Sequence, residues 1–176
     1  MKPPSLSKKI AIAVLAMSLV SAVVLAALPR TWSVERSIVI DAPEAKIVPH
    51  IVDLHRWQDW SPWNKSHDPL ARFSFEGPQQ GVGAKWSWLG PVMGRGSLEV
   101  TSVIPGYVSL SEALDGERVN AHATFTFQPR GGSTLVTWRD SGELPAFGGV
   151  FVGSLEATLG RHFDAGLKQL KATVEK

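Results

Sequence analysis

Glu112 has the strongest claim to chemistry of any titratable residue in this chain. In the run Tyr107–Leu114 it shares its parity with Val108, Leu110 and Leu114, and alternate residues of a β-strand face the same way. A carboxyl on such an apolar face is desolvated and its pKa rises. It can then bind a polar head group or serve as a general acid or base. Two plainer readings compete: a bulge that turns Glu112 outward, or an ion pair with Arg139 or Arg95. Tyr107, at the start of the same run, is the second candidate for moving a proton.

The other reactive residue types form no recognised constellation. The chain has no cysteine, which excludes a disulfide framework, a thiolate metal site and a cysteine nucleophile. The five histidines (His50, His55, His67, His122 and His162) lack metal-ligand spacing, and His-Glu-x-x-His does not occur. His122 falls on the polar parity of its strand and reads as solvated. The loop Gly77–Gly83 lacks the lysine of a phosphate-binding loop, and Gly94-Arg95-Gly96-Ser97 is not a nucleophile elbow. The expectation is therefore no metal, no cofactor and no covalent catalysis.

The elements that must position these residues follow from periodicity. Trp32–Ile40 alternates as a strand with Arg36 interrupting its apolar face. Asp41-Ala42-Pro43-Glu44 reads as a helix start with Asp41 as its capping-type residue, and Pro49 should kink or shorten the helix that follows. Trp57, Trp60 and Trp63 recur at steps of three beside Pro62 and read mainly as core anchors, with a ligand entrance as the alternative. Six strand-like runs follow. They place Trp86 and Trp88, Leu98 and Val100, Leu110 and Glu112, Phe125 and Phe127, and Val136 and Trp138 on inner faces. From near Gly149 a single long helix carries Phe151, Leu155, Leu159 and Phe163 on one stripe that continues to Val174. Gly153, Gly160 and Gly166 each cost that helix about 1 kcal/mol against alanine. They admit close approach of the sheet or leave room for a ligand.

Residues 10–28 form an uncharged apolar run, long enough as a helix to cross a bilayer of ~30 Å. Residues 1–9 are a short basic tail, and residues 29–31 a minimal linker before the domain at 32–176. Lys8 and Lys9 precede the run, so the positive-inside rule places the N-terminus in the cytoplasm and the domain outside it. A cleaved signal peptide ending near Val24-Leu25-Ala26 is the alternative to an uncut anchor. The formal net charge of +2 is misleading. Lys2, Lys8, Lys9 and Arg30 all precede the first acidic residue, Glu35, and the remainder is slightly acidic. A near-neutral domain without a basic patch is not expected to bind nucleic acid.

Five segments, in order, resemble a known superfamily. They are Arg36–Pro43, Trp57–Trp63, Gly81–Ala84 with Trp88, Gly94–Val100 and Phe163–Lys171. Together they are similar to the helix-grip superfamily of START lipid-transfer domains, plant pollen-allergen proteins and polyketide cyclase/dehydrase-like (SRPBCC) proteins, and most to a bacterial membrane-anchored group within it. The resemblance implies an α+β fold of order β-α-α-β6-α. A curved, seven-stranded antiparallel sheet would wrap the long C-terminal helix, with an apolar pocket between them. It implies no fixed catalytic residues, because fold does not settle function.

Three functions are compatible with this reading. The first is non-covalent binding of a lipid or other small hydrophobic ligand by a membrane-tethered domain. The second is a cyclase/dehydrase-type enzyme using Glu112 or Tyr107. The third is a protein-interaction module whose interior is merely core. The oligomeric state is not encoded in any pattern seen here.

Overall fold

The structure is a computed structural model and describes residues 6–116 and 118–176. The first five residues of the basic tail, Lys2 included, lie outside the described residues. Helix α1 (Leu6–Ala27) carries no charge after Lys9, with mean hydropathy 2.7 over its best window, and no part of that window is buried against the domain. By length and composition it is able to cross a membrane.

The domain begins with β1 (Thr31–Ile40), followed by α2 (Glu44–Val52), a 3-10 turn (Leu54–Arg56) and the one-turn helix α3 (Trp57–Trp60). Six strands follow: β2 (Arg72–Glu76), β3 (Lys85–Gly90), β4 (Gly94–Ile104), β5 (Tyr107–Leu114), β6 (Val119–Arg130) and β7 (Ser133–Glu143). A second 3-10 turn (Gly148–Phe151) leads into α4 (Val152–Val174). The sheet order is β1-β7-β6-β5-β4-β3-β2, and every pairing is antiparallel. The expected helix-grip architecture is thus present, with α4 packed against the sheet principally through β1.

Strand alternation decides which side chains meet α4. On β6, Ala121, Ala123, Phe125 and Phe127 are buried while His122 and Gln128 are exposed. Arg36, which interrupts the apolar face of β1, is accommodated by α4 itself. Its guanidinium lies where a side chain at position 160 would project, and its Nε donates to Asp164 Oδ2 at 3.2 Å. Gly160 therefore serves a close approach, as does Gly166, which faces Pro62 and Trp138. Gly153 has open space around it.

The start of α2 differs from expectation. Pro43 occupies the cap position without a side-chain cap, and the Asp41 backbone N–H instead donates to Glu175 Oε1 at 2.6 Å. The helix continues through Pro49 and stops soon after it, at Val52. A short helix is what the missing proline donor favours.

Asp68 organises the opposite edge. Its Oδ2 accepts from the backbone N–H groups of Val92 and Met93, both at 2.9 Å. Burial pushes this carboxyl up, but the backbone donors outweigh burial and hold it below its ordinary value. Replacing Asp68 with alanine orphans those donors. Hydrogen exchange at Val92 and Met93 should then accelerate by roughly tenfold or more, with the β6 amides unaffected.

Candidate functional site

The concave face of the sheet is divided in two. Over one half, Trp57 and Trp60 lie on the sheet. Trp57 stands 6.1 Å from Phe125 and 5.7 Å from Trp138, measured between ring centroids, and Trp60 stands 5.6 Å from Trp138. Their indole N–H groups donate to the carbonyls of Ile51 and His50, each at 2.9 Å. Trp57, Trp60, Phe125 and Trp138 are all buried there, and Trp57 also borders the space beside them. The other half, toward the start of β1 and the end of β7, holds a cavity of about 350 Å³.

The cavity has a wall of apolar side chains from Trp32, Trp86, Trp88 and Leu98 on the sheet, and a roof of Leu155, Leu159 and Phe163 from α4. Two glycines let tryptophans lie flat against the strands. A side chain at Gly142 would collide with Trp32, its partner across β1 and β7, and one at Gly96 would collide with Trp88, its partner across β3 and β4. The mouth of the cavity is its solvent-exposed rim, where Gly94, Arg95 and Asp115 are exposed and Met93, Val119 and Leu144 are half-buried.

Two carboxyls meet in this apolar space. Glu112 on β5 stands opposite Ala121 of β6, and Asp140 on β7 stands opposite Ala123 of β6. The alanines are too short to separate them, and the two side chains hydrogen-bond to each other over β6. The Trp32 Nε1–H donates to Asp140 Oδ1 at 2.7 Å. Burial raises the Glu112 carboxyl well above its ordinary range, and the neighbouring charge of Asp140 adds to this. Burial raises Asp140 too, but the hydrogen bonds from Trp32 and Glu112 favour its ionised form. Burial and the adjoining Asp140 together favour a proton on Glu112, shared toward Asp140, because two neighbouring carboxylates in an apolar site do not both ionise readily.

Of the residues expected to bind ligand, Trp86, Trp88, Leu98, Glu112, Leu155, Leu159 and Phe163 line the cavity. Val100, Leu110, Phe125, Phe127, Val136 and Trp138 face inward but lie outside it, within the closed core. Phe151 is 64% exposed on the turn before α4 and does not line the cavity. Tyr107 has the parity opposite to Glu112 and sits at the far end of β5, opposite Thr126; it takes no part in the cavity. The ion pair of Glu112 with Arg139 or Arg95 is replaced by the bond to Asp140. Asp140 is the site residue that the sequence reading missed. It shares parity with Val136 and Trp138, which was the available signal. Among the described residues no group of His, Asp or Glu could hold a metal ion.

A long helix clasped by a bent antiparallel sheet over an apolar cavity defines a helix-grip protein of the SRPBCC type. The chain belongs to the family described as polyketide cyclase / dehydrase and lipid transport, whose model matches residues 31–175. No functionally curated protein matches it in sequence. Solved structures share the fold. Protein CV1439 from Chromobacterium violaceum superimposes with a TM-score of 0.60 at 16% identity, covering 82% of this chain and 97% of that one. TTHA0849 from Thermus thermophilus gives 0.59 at 18% identity, covering 81% and 96%. CalU16 from Micromonospora echinospora gives 0.55 at 14% identity, covering 81% and 75%.

Proposed function

We propose that this protein is a membrane-tethered binder of a lipid or comparably apolar molecule bearing one polar group. α1 serves as an uncut anchor and holds the domain on the extracytoplasmic side. The carrying observation is the cavity itself. Its volume falls in the range of small-ligand sites, its walls are mainly apolar, and its charged groups are one inner carboxyl pair, Glu112 with Asp140, and Arg95 and Asp115 at the rim, the pattern of sites that bury an apolar ligand and orient one end of it. Glu112, carrying a proton, offers a donor to a ligand carbonyl or hydroxyl, and Asp140 offers an acceptor.

Native mass spectrometry of the full chain, extracted from its own membranes in mild detergent, tests this reading. A discrete non-covalent adduct is expected. Leu159→Trp, which fills the roof of the cavity, should reduce adduct occupancy at least tenfold, equivalent to about 1.4 kcal/mol or more. Repeatedly empty wild-type protein would remove the carrier function.

A second reading, a cyclase/dehydrase-type enzyme, is favoured by the same carboxyl pair. A proton held at Glu112 inside an apolar chamber is placed for general-acid work. Under that reading Glu112→Gln binds ligand as before but no longer converts it, which mass analysis of the bound molecule separates from simple carriage.

A further inference from the structure

We infer that the mouth of the cavity is pressed against the bilayer that holds α1, so that the ligand enters from the membrane without crossing water. This rests on the proposed anchoring by α1.

The chain leaving α1 is clamped to the domain. The Leu144 backbone N–H donates to the Arg30 carbonyl at 2.9 Å, the Arg30 guanidinium reaches back to the Leu144 carbonyl at 3.4 Å, and it pairs with Glu143 at 2.5 Å. Gly149 lies directly against Leu28 and Pro29, with no space for a side chain. A segment fixed at this many points does not behave as a swivel, so the end of the sheet nearest α1 is held toward the membrane surface.

Antiparallel pairing then dictates what else lies at that end. The start of β1 and the end of β7 share it with the β5–β6 turn, the β3–β4 turn and the segment before β2. The mouth residues Met93, Arg95, Asp115, Val119 and Leu144 all belong to these segments. Exposed apolar side chains concentrate there as well. Nine large ones are exposed outside α1 among the described residues, and six of them are at this end: Leu70, Leu89, Val92, Phe147, Val150 and Phe151. Phe147, Val150 and Phe151 are 54%, 48% and 64% exposed, next to the exit of α1. Phe147 is held out with φ of 65°, a left-handed conformation uncommon for a residue other than glycine. Aromatic and aliphatic side chains in this position belong in the interface of a bilayer, where they lose contact with water.

The absence of cysteine makes site-directed spin labelling direct. Full-length protein would be reconstituted into phosphatidylethanolamine/phosphatidylglycerol vesicles as Val92→Cys, Phe151→Cys, Ile104→Cys or Leu19→Cys, each labelled with a nitroxide. Ile104 is an exposed residue at the opposite end of the sheet, and Leu19 is in the middle of α1. Collision with oxygen should rise, and collision with a water-soluble nickel chelate fall, at 92 and 151 but not at 104. If labels at 92 and 151 match the one at 104 while the label at 19 reports hydrocarbon, the inference is overturned and the anchor stands. If the label at 19 is itself in water, both fail. A label at 92 or 151 shielded from both reagents would mark a protein contact and overturn the inference as well.

Discussion

Trp138→Ala is expected to lower stability by about 3–5 kcal/mol, the range for removing a large buried aromatic side chain. Trp138 stacks on Phe163 of α4 with ring centroids 4.0 Å apart and planes at 9°. It also stacks on Phe125 at 5.0 Å and meets Trp57, Trp60 and Trp63 edge-on. It is therefore the point at which sheet, α3 and α4 touch one another. The Nε1–H of Trp138 finds no acceptor among the described residues. Trp138→Phe thus keeps most of the stacking and removes an unsatisfied donor, so it should cost less than about 2 kcal/mol. Chemical denaturation followed by intrinsic fluorescence measures both. Equal losses for the two variants would show that ring contact is not what joins the layers.

The carboxyl pair should impose a pH dependence of a definite sign. Glu112 titrates well above its ordinary range in the folded protein and at its ordinary value once unfolded. Between those values the native state binds more protons, so stability is complete at low pH and falls as pH rises through the folded value. Asp140, also raised by burial, adds in the same direction. His50 and His162 are both lowered by burial; their contribution has the opposite sign and increases as pH rises through the ordinary histidine range. The difference between the wild type and Glu112→Gln isolates the pair. Glutamine keeps a donor toward Asp140 without a titrating proton, so the variant should gain on the wild type steadily from pH 5 to pH 8. Asp140→Ala should instead lose about 2–4 kcal/mol throughout, because it orphans the Trp32 indole and the Glu112 carboxyl together. Parallel wild-type and Glu112→Gln stability curves over this range would mean that Glu112 is not held in its protonated form.

The sheet and the long helix were legible because each rests on a period: two for the strands, three to four for α4. Glu112 was legible for the same reason. Asp140 obeys the same rule, two residues beyond Trp138 on a strand that continues to Glu143. The boundary between cavity and closed core was not legible. Leu98 and Leu110 are both inward and apolar, yet only Leu98 lines the cavity. What separates the two halves is where α3 lays its tryptophans, a long-range packing outcome with no local pattern. Tyr107 shows the converse. It is chemically suitable and lies on the same strand as Glu112, but it is on the other face. Arg36 looked like a flaw in β1, and its accommodation depends on a glycine far along the chain in α4.

The sheet curves but does not close, so β1 and β2 remain as its two borders. β2 is only five residues long, with Arg72 and Glu76 at its ends. A short border carrying charges of both signs is a poor template for recruiting another strand. Proteins held on a surface meet one another far more often than they do in solution, and a bare, flat margin would there seed aggregation. On the membrane surface proposed above, this border gives neighbouring copies no template for pairing along β2.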